Sequence, residues 1–297
     1  MDTNTNVGTV ARIWLFPVKS MKGERIEQGN FTEHGLLGDR AYALIDTETG
    51  KVVSAKSVRL FPDLLHCKAD YVEPPQLEGE LPPVRITLPD GTTVNSDASD
   101  IDRVLSDFFR RGVTLSRAAP EDFTIDQYHP DVKDADPRGH QDAEVEQKLG
   151  SAFFAEAGLP SPVPVGSFFD LFPASVLTTS TLDQLSQLQP DSNFDERRFR
   201  MNVIIDTTEA GFVENDWIGR ELAIGDVMRL HVAMPDPRCV MTTLAQDELS
   251  RDNEVIRTLV LHNRIQVTDA GLFPCAGVYA AVQAPGNLRT GDSVSLC

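Results

Sequence analysis

The chain has 297 residues, 41% of them hydrophobic, which is long enough for one large core and more readily for two domains. Lys and Arg number 27 against 45 Asp and Glu, a formal charge of −18. A surface that acidic repels phosphate backbones and anionic lipid, which argues against nucleic-acid binding and membrane-surface binding.

The stretch from Met1 to Gly8 is polar and has no apolar centre, so it does not read as a secretory signal or an anchor. Apolar runs all fall short of the ~20 residues a membrane helix needs. Three short strands are predicted next, Thr9–Leu15, Glu24–Phe31 and Ala41–Ile45, each bounded by Gly, Pro or Asp. The strands Val84–Leu88 and Thr92–Val94 flank Pro89-Asp90-Gly91, a hairpin signal. Helical spacing of Ile101, Val104, Leu105, Phe108 and Phe109 predicts a helix over Asp100–Arg111, capped by Ser99 or Asp100, and strand Val113–Ser116 follows. The segment Pro120–Glu146 is rich in Asp, Pro, His and Gln and reads as a long acidic loop; the spacing of His129 and His140 matches no known ligand pattern. Beyond it, a helix is expected over Ser175–Leu188, strands over Arg200–Asp206, Glu221–Ile224 and Val227–Ala233, a helix over Asn253–His262, and a strand pair at Gly277–Val282 and Ser293–Leu296. Strands thus dominate, with helices outside them: a mixed, β-rich (α+β) chain. It divides into an N-terminal domain over residues 1–117, an acidic loop or linker over 118–150 and a second domain over 151–297.

Four cysteines, Cys67, Cys239, Cys275 and Cys297, form no C-x-x-C pair, which speaks against a structural zinc site or a ferredoxin-type cluster and for a reducing cytoplasm. Cys239 stands apart. It lies in Pro235-Asp236-Pro237-Arg238-Cys239-Val240-Met241-Thr242-Thr243, where two prolines are expected to end the preceding strand and leave the thiol on a stiff turn. An adjacent guanidinium favours the thiolate. Three readings are open: a packed structural thiol, an acyl-transfer nucleophile served by His231 or His262, or a soft-metal ligand.

Basic residues recur at predicted strand ends. Lys19 and Ser20 follow the first strand through Pro17, and Arg40 follows two glycines in Gly35-Leu36-Leu37-Gly38-Asp39-Arg40. In Phe199-Arg200-Met201-Asn202-Val203-Ile204-Ile205, strand alternation would put Arg200 and Asn202 on one face. Polar groups so placed need partners, because burial without them costs several kcal/mol. The bland partner for Arg200 is a nearby carboxylate, Asp195, Glu196 or Asp206. With Lys19, Arg40 and Arg238 beside it, a shared anionic ligand competes with that reading.

At these residues the chain resembles the MOSC family, and within it the branch with an N-terminal β-barrel domain that includes the amidoxime-reducing components. The resemblance is carried by Pro17-Val18-Lys19-Ser20-Met21-Lys22-Gly23, Gly38-Asp39-Arg40, Phe199-Arg200-Met201-Asn202-Val203-Ile204 and Arg238-Cys239-Val240-Met241-Thr242-Thr243, in order over nearly the whole chain. It implies a MOSC β-barrel domain with peripheral helices over 151–297 and a molybdenum cofactor of the molybdopterin type. It further implies that Cys239 is the catalytic metal ligand and that Lys19, Ser20, Arg40, Arg200, Asn202 and Arg238 hold the pterin and its phosphate. Asp170 would handle protons or order a molybdenum-bound water, and Leu171 and Phe172 would contribute main-chain contacts to the cofactor. The implied activity is reduction of small N-hydroxylated (N-oxygenated) substrates in the cytoplasm. Electrons would come from a separate donor protein: cytochrome b5-like, a ferredoxin or a flavoprotein reductase. A non-catalytic cofactor carrier or sulfur-transfer module is the alternative, and a metal-free cysteine hydrolase or transferase the next.

Overall fold

The structure, a computed structural model, describes residues 5–267, 269 and 271–297, so the first four residues of the polar opening stretch lie outside it. Strand positions follow the apolar runs. Val203-Ile204-Ile205 is buried throughout because the strand Val203–Thr207 is central, antiparallel to Thr5–Leu15 and parallel to Ala174–Thr178. A continuous β-branched run suits a strand covered on both faces. Pairing continues through Thr5–Leu15, Ser293–Leu296, Glu221–Ile224, Met228–Pro237 and Leu272–Ala284. The last of these returns to Ala174–Thr178 and closes a seven-stranded barrel. Closure leaves no unpaired edge on these strands.

Alternation divides the barrel side chains between two cores. Val176, Val203, Ile205, Val278 and Ala280 belong to the main cluster. Leu177, Ile204 and Ala276 belong to a second cluster with Leu185 and Leu259, from the helices Thr179–Leu188 and Glu254–His262. The remaining N-terminal elements are smaller: Ala43–Asp46 with Val113–Ser116, the meander Lys68–Tyr71, Val84–Thr87 and Thr93–Asn95, and the helix Ile101–Phe109. The β-rich α+β class with peripheral helices is as expected. The two halves are stitched together, however. Thr5–Leu15 begins the N-terminal segment yet is a stave of the barrel, and Gln28–Thr32 pairs with Gly286–Arg289.

Four sequence expectations need correction. Residues 174–178 are a strand rather than the start of a helix; the helix begins at Thr179, and the Thr178 hydroxyl caps it by accepting from the Thr181 amide at 3.2 Å. Arg200 is not on a strand: its φ is +57°, and the strand starts at Val203. The prolines do not end the strand before Cys239; Met228–Pro237 contains both, with register shifts at Val232/Met234 and Pro235/Pro237 that let the ladder absorb two residues lacking a donor. Finally, the acidic segment is not irregular throughout. Thr124–His129 and Ala143–Lys148 form a hairpin, held to the N-terminal sheet by Lys51, which bridges Asp126 (2.6 Å) and Glu146 (2.5 Å). Its charged outer face hid the period of two that its inner residues, such as Ile125, follow.

Candidate functional site

A cavity of about 480 Å³ is lined by residues from every segment singled out above: Lys19, Ser20, Arg40, Asp170, Leu171, Phe172, Arg200, Asn202, Arg238 and Cys239. Its volume is within the range of small-ligand sites. His231 and His262 are not among the lining residues, which leaves no support for them as bases to Cys239.

Cys239 follows the proline-containing strand and opens the 3-10 turn Val240–Thr243. Its carbonyl is fixed by the Thr242 amide (3.2 Å) and hydroxyl (3.0 Å), and the free thiol is half-buried in the cavity wall. Cys67 and Cys275 are buried, and burial pushes both thiols up to about 12, as expected for packed cysteines. The loop after Cys239 is held by a residue that the sequence reading passed over. Arg198, 2% exposed, donates to the carbonyls of Asn193 (2.9 Å), Thr242 (3.3 Å), Leu244 (3.1 Å) and Ser250 (2.8 Å).

Three of the seven non-glycine residues with positive φ among the described residues are Ser20 (+65°), Arg40 (+47°) and Arg200 (+57°). Each is a predicted site residue, and each comes from a different segment. Left-handed backbone costs a non-glycine residue about 1–2 kcal/mol and persists where the surroundings over-determine it. Here the surroundings are mutual hydrogen bonds. Arg40 donates to the Arg200 carbonyl (2.9 Å), Arg200 donates to the Met21 carbonyl (2.7 Å), and both guanidinium groups lie over the Phe16 ring, 4.7 and 4.4 Å from its centroid.

Asp39, unassigned in the sequence reading although it stands inside Gly38-Asp39-Arg40, is the hub of this arrangement. Its buried carboxylate accepts from the Phe16 amide (2.8 Å), the Asn202 amide group (2.9 Å) and the Arg40 guanidinium. Gly38, at φ +84°, admits no Cβ because the Tyr71 ring would lie 2.7–2.9 Å from it. Asn202 is 1% exposed and fully engaged, also bonding the Trp14 carbonyl (3.3 Å) and the Ser175 hydroxyl (3.0 Å). Its contacts are with the chain, so it positions Asp39. Arg238 is likewise turned inward. It pairs with Asp236 and donates to the carbonyls of Ala276 (2.6 and 2.8 Å) and Phe199 (2.8 Å), so it shapes the turn that carries Arg200.

Lys19 and Lys56 flank Asp170. Lys19 donates to Asp170 and to the Phe168 carbonyl (2.9 Å), and Lys56 to the second Asp170 oxygen at 2.8 Å. Burial works against the Asp170 carboxylate, but the two ammonium groups prevail and hold it well below the usual carboxylate range. Burial lowers Lys19; Lys56, equally buried, is held above its ordinary value by Asp170, Cys239 and Asp236. Lys56 was not anticipated, since nothing near it in sequence marks a site. Leu171 and Phe172 close one wall with their side chains, Phe172 stacking on Tyr279 at 5.7 Å and meeting Phe154 edge-on at 5.9 Å.

Arg200 differs from the other cations here. Lys19, Lys56, Arg40 and Arg238 each pair with a carboxylate; among the described residues, Arg200 has no ion-pair partner. The three anticipated partners are engaged elsewhere: Asp195 with Arg197, Glu196 with Arg12 and Asp206 with the Thr179 hydroxyl. Burial, with the Arg40 charge beside it, lowers Arg200 to about 9. Arg200 is thus a half-buried guanidinium with no direct carboxylate partner among the described residues, in the wall of a cavity that also holds a thiol.

Fold and site together define a β-barrel protein with a cysteine at an electropositive pocket. Residues 7–116 match the MOSC N-terminal beta barrel domain and residues 166–295 the MOSC domain, and the chain belongs to that family. It is similar to mitochondrial amidoxime-reducing component 1 of Homo sapiens, 26% identical over 98% of this chain and 83% of that one. It is likewise similar to component 2 of Rattus norvegicus and of Homo sapiens, each 26% identical over 97% of this chain and 83% of the relative.

Proposed function

We propose that this chain is a molybdenum-cofactor-dependent reductase of N-hydroxylated compounds. The observation that carries the reading is Arg200, a half-buried guanidinium without a carboxylate partner, in the wall of the cavity that Cys239 also lines. The relatives' names support the substrate class, since an amidoxime is an N-hydroxylated amidine. The donor set fits the group: a half-buried thiol for a soft metal, and a cationic wall for an anionic pterin phosphate.

When bound, the cofactor would supply the two-electron chemistry that removes the substrate oxygen as water. The chain's residues bind, orient and handle protons. Cys239 would ligate the molybdenum. Arg200, Arg40, Lys19 and Ser20 would meet the pterin and its phosphate from backbone already locked by Asp39. Asn202 and Arg238 hold that frame. Asp170, kept ionised by two lysines, accepts hydrogen bonds and does not give up protons near neutrality. Asp236 is better suited to hold one. Burial outweighs Arg238 and raises it to about 6, and it takes a hydrogen bond from the Tyr279 hydroxyl. Phe153, Phe154 and Phe172 offer an apolar wall for the carbon skeleton of the substrate. Electrons would come from a separate donor of the cytochrome b5, ferredoxin or flavoprotein kind, and the setting proposed is cytoplasmic.

The test is metal and pterin analysis of the chain purified from a cofactor-competent host, with turnover of an amidoxime under a chemical reductant. Near-stoichiometric molybdenum, reduction of the amidoxime and loss of both in Cys239→Ala are expected. Absence of molybdenum and pterin, or full turnover by Cys239→Ala, would sink the reading. Bound cofactor that transfers rapidly to an apo-enzyme, without turnover, would replace it with the carrier.

A further inference from the structure

We propose that His129, Asp136 and His140 form a binding site for a divalent transition-metal ion of the Zn²⁺ class, with an open coordination position on the cavity. The proposal uses three side chains that the reductase reading does not, so either can fail without the other. In sequence the two histidines stand in an acidic stretch with no ligand spacing. The fold brings them together. His129 ends the strand Thr124–His129, opposite Ala143, and the chain between them folds back over the helix Glu254–His262, with Val132 and Ala135 buried against Ile256. Two turn bonds, Ala135 amide to Val132 carbonyl (3.3 Å) and Gly139 amide to Asp136 carbonyl (2.9 Å), shape the return.

One ligand atom from each residue lies within 4.8 Å of the others. His140 Nδ1 is 2.5 Å from Asp136 Oδ2, and His129 Nδ1 is 3.7 Å from the same oxygen. Bonds of ~2.0–2.1 Å in a tetrahedral site put ligand atoms about 3.3 Å apart, so side-chain adjustments of about an ångström would close this set on an ion. Asp136, with 7% side-chain exposure, has the two histidines as its ion-pair partners among the described residues, and no Lys or Arg. An ion would supply that counter-charge, taking the place of the hydrogen bond between Asp136 and His140. All three residues line the cavity, so water or an oxygen-donor ligand could fill the fourth position. Two imidazoles and one carboxylate with a vacancy suit Zn²⁺ or Fe²⁺, whereas Mg²⁺ and Ca²⁺ prefer all-oxygen sites.

The test is titration of the full-length chain with Zn²⁺ and, for its visible spectrum, Co²⁺, by calorimetry and equilibrium dialysis. A Cys239→Ser background removes the competing thiolate. One ion per chain is expected with a Kd of about 1 μM or below, weakened at least about 100-fold by His129→Asn, Asp136→Asn or His140→Gln. Because a variant can lose fold as well as ligand, the wild-type chain is followed by NMR of its imidazole resonances during the same titration. His129 and His140 should shift together, ahead of the other four histidines. No saturable binding below about 0.1 mM, binding retained in all three variants, or first shifts at other histidines would each overturn the proposal.

Discussion

Asp170→Asn in the cofactor-free chain is expected to cost about 3 kcal/mol at neutral pH. Asp170 pairs with Lys19 and Lys56, whose side chains are 6% and 9% exposed, while its own is 28% exposed. Removing one partner of a buried pair costs ~3–5 kcal/mol because it strands the other charge. The exposure of Asp170 argues for the low end, and the repulsion left between two ammonium groups prevents a smaller figure. At ~2–4 °C per kcal/mol the melting temperature should fall by roughly 6–12 °C. The pH dependence has a definite sign. Because the folded pKa of Asp170 is depressed, its contribution is present above its ordinary pKa of ~3.9 and fades as pH falls through the folded value. Wild type and variant should therefore differ by a constant amount through the neutral range and converge below about pH 4. At alkaline pH the variant should recover, since Lys19, already lowered by burial, can shed its proton. Urea melts of the two proteins at several pH values measure this directly. A difference under about 0.5 kcal/mol at neutrality, or one that grows on acidification, would refute the reasoning.

Three further outcomes are expected. Arg198→Met should lose at least about 3 kcal/mol in urea melts, because four carbonyls lose a charged donor whose own side chain is buried; a change under about 1 kcal/mol would show that the loop after Cys239 is held by other contacts. Arg200→Met should leave the stability of the cofactor-free chain within about 1 kcal/mol while lowering pterin content at least tenfold, because the guanidinium it removes has no carboxylate partner; undiminished pterin content would exclude Arg200 from anion binding. Asp236 should titrate near pH 6 by carboxyl-detected NMR of the cofactor-free chain. With the folded pKa raised, its contribution to stability is full below about pH 4 and is lost as pH rises through about 6, up to roughly 3 kcal/mol, and Asp236→Asn should flatten that part of the profile; a measured value near 4 would remove the claim.

Much of the fold was legible because its central strands are runs of β-branched residues, and Val203-Ile204-Ile205 reads as a strand in any context that buries it. The helix at Glu254–His262 was equally plain from its spacing. Prolines misled at Pro235 and Pro237, since a bulged strand tolerates a residue without a donor. Period-two reasoning failed at Arg200, where mutual hydrogen bonds hold a left-handed residue that alternation cannot represent. The acidic hairpin was hidden by charges on its outer face. Of the site, Cys239, Arg40, Arg200, Lys19 and Asp170 were visible as motif residues. Lys56 and Arg198 were not, because each acts on groups far away in sequence.

The sequence by itself determined most of the element types, the acidic composition, the family resemblance and which cysteine stands apart, because these depend on local composition and spacing. Tertiary structure decided which charges are matched. Pairing is a matter of distance across folded segments, and only the fold reveals that Asp39 binds three motifs together. It also leaves Arg200 without a carboxylate and brings His129, Asp136 and His140 to one rim. The thiol at Cys239 was legible from the start; the turning of Arg238 away to Asp236, and the pairing of Lys56 with Asp170, belong to the tertiary fold.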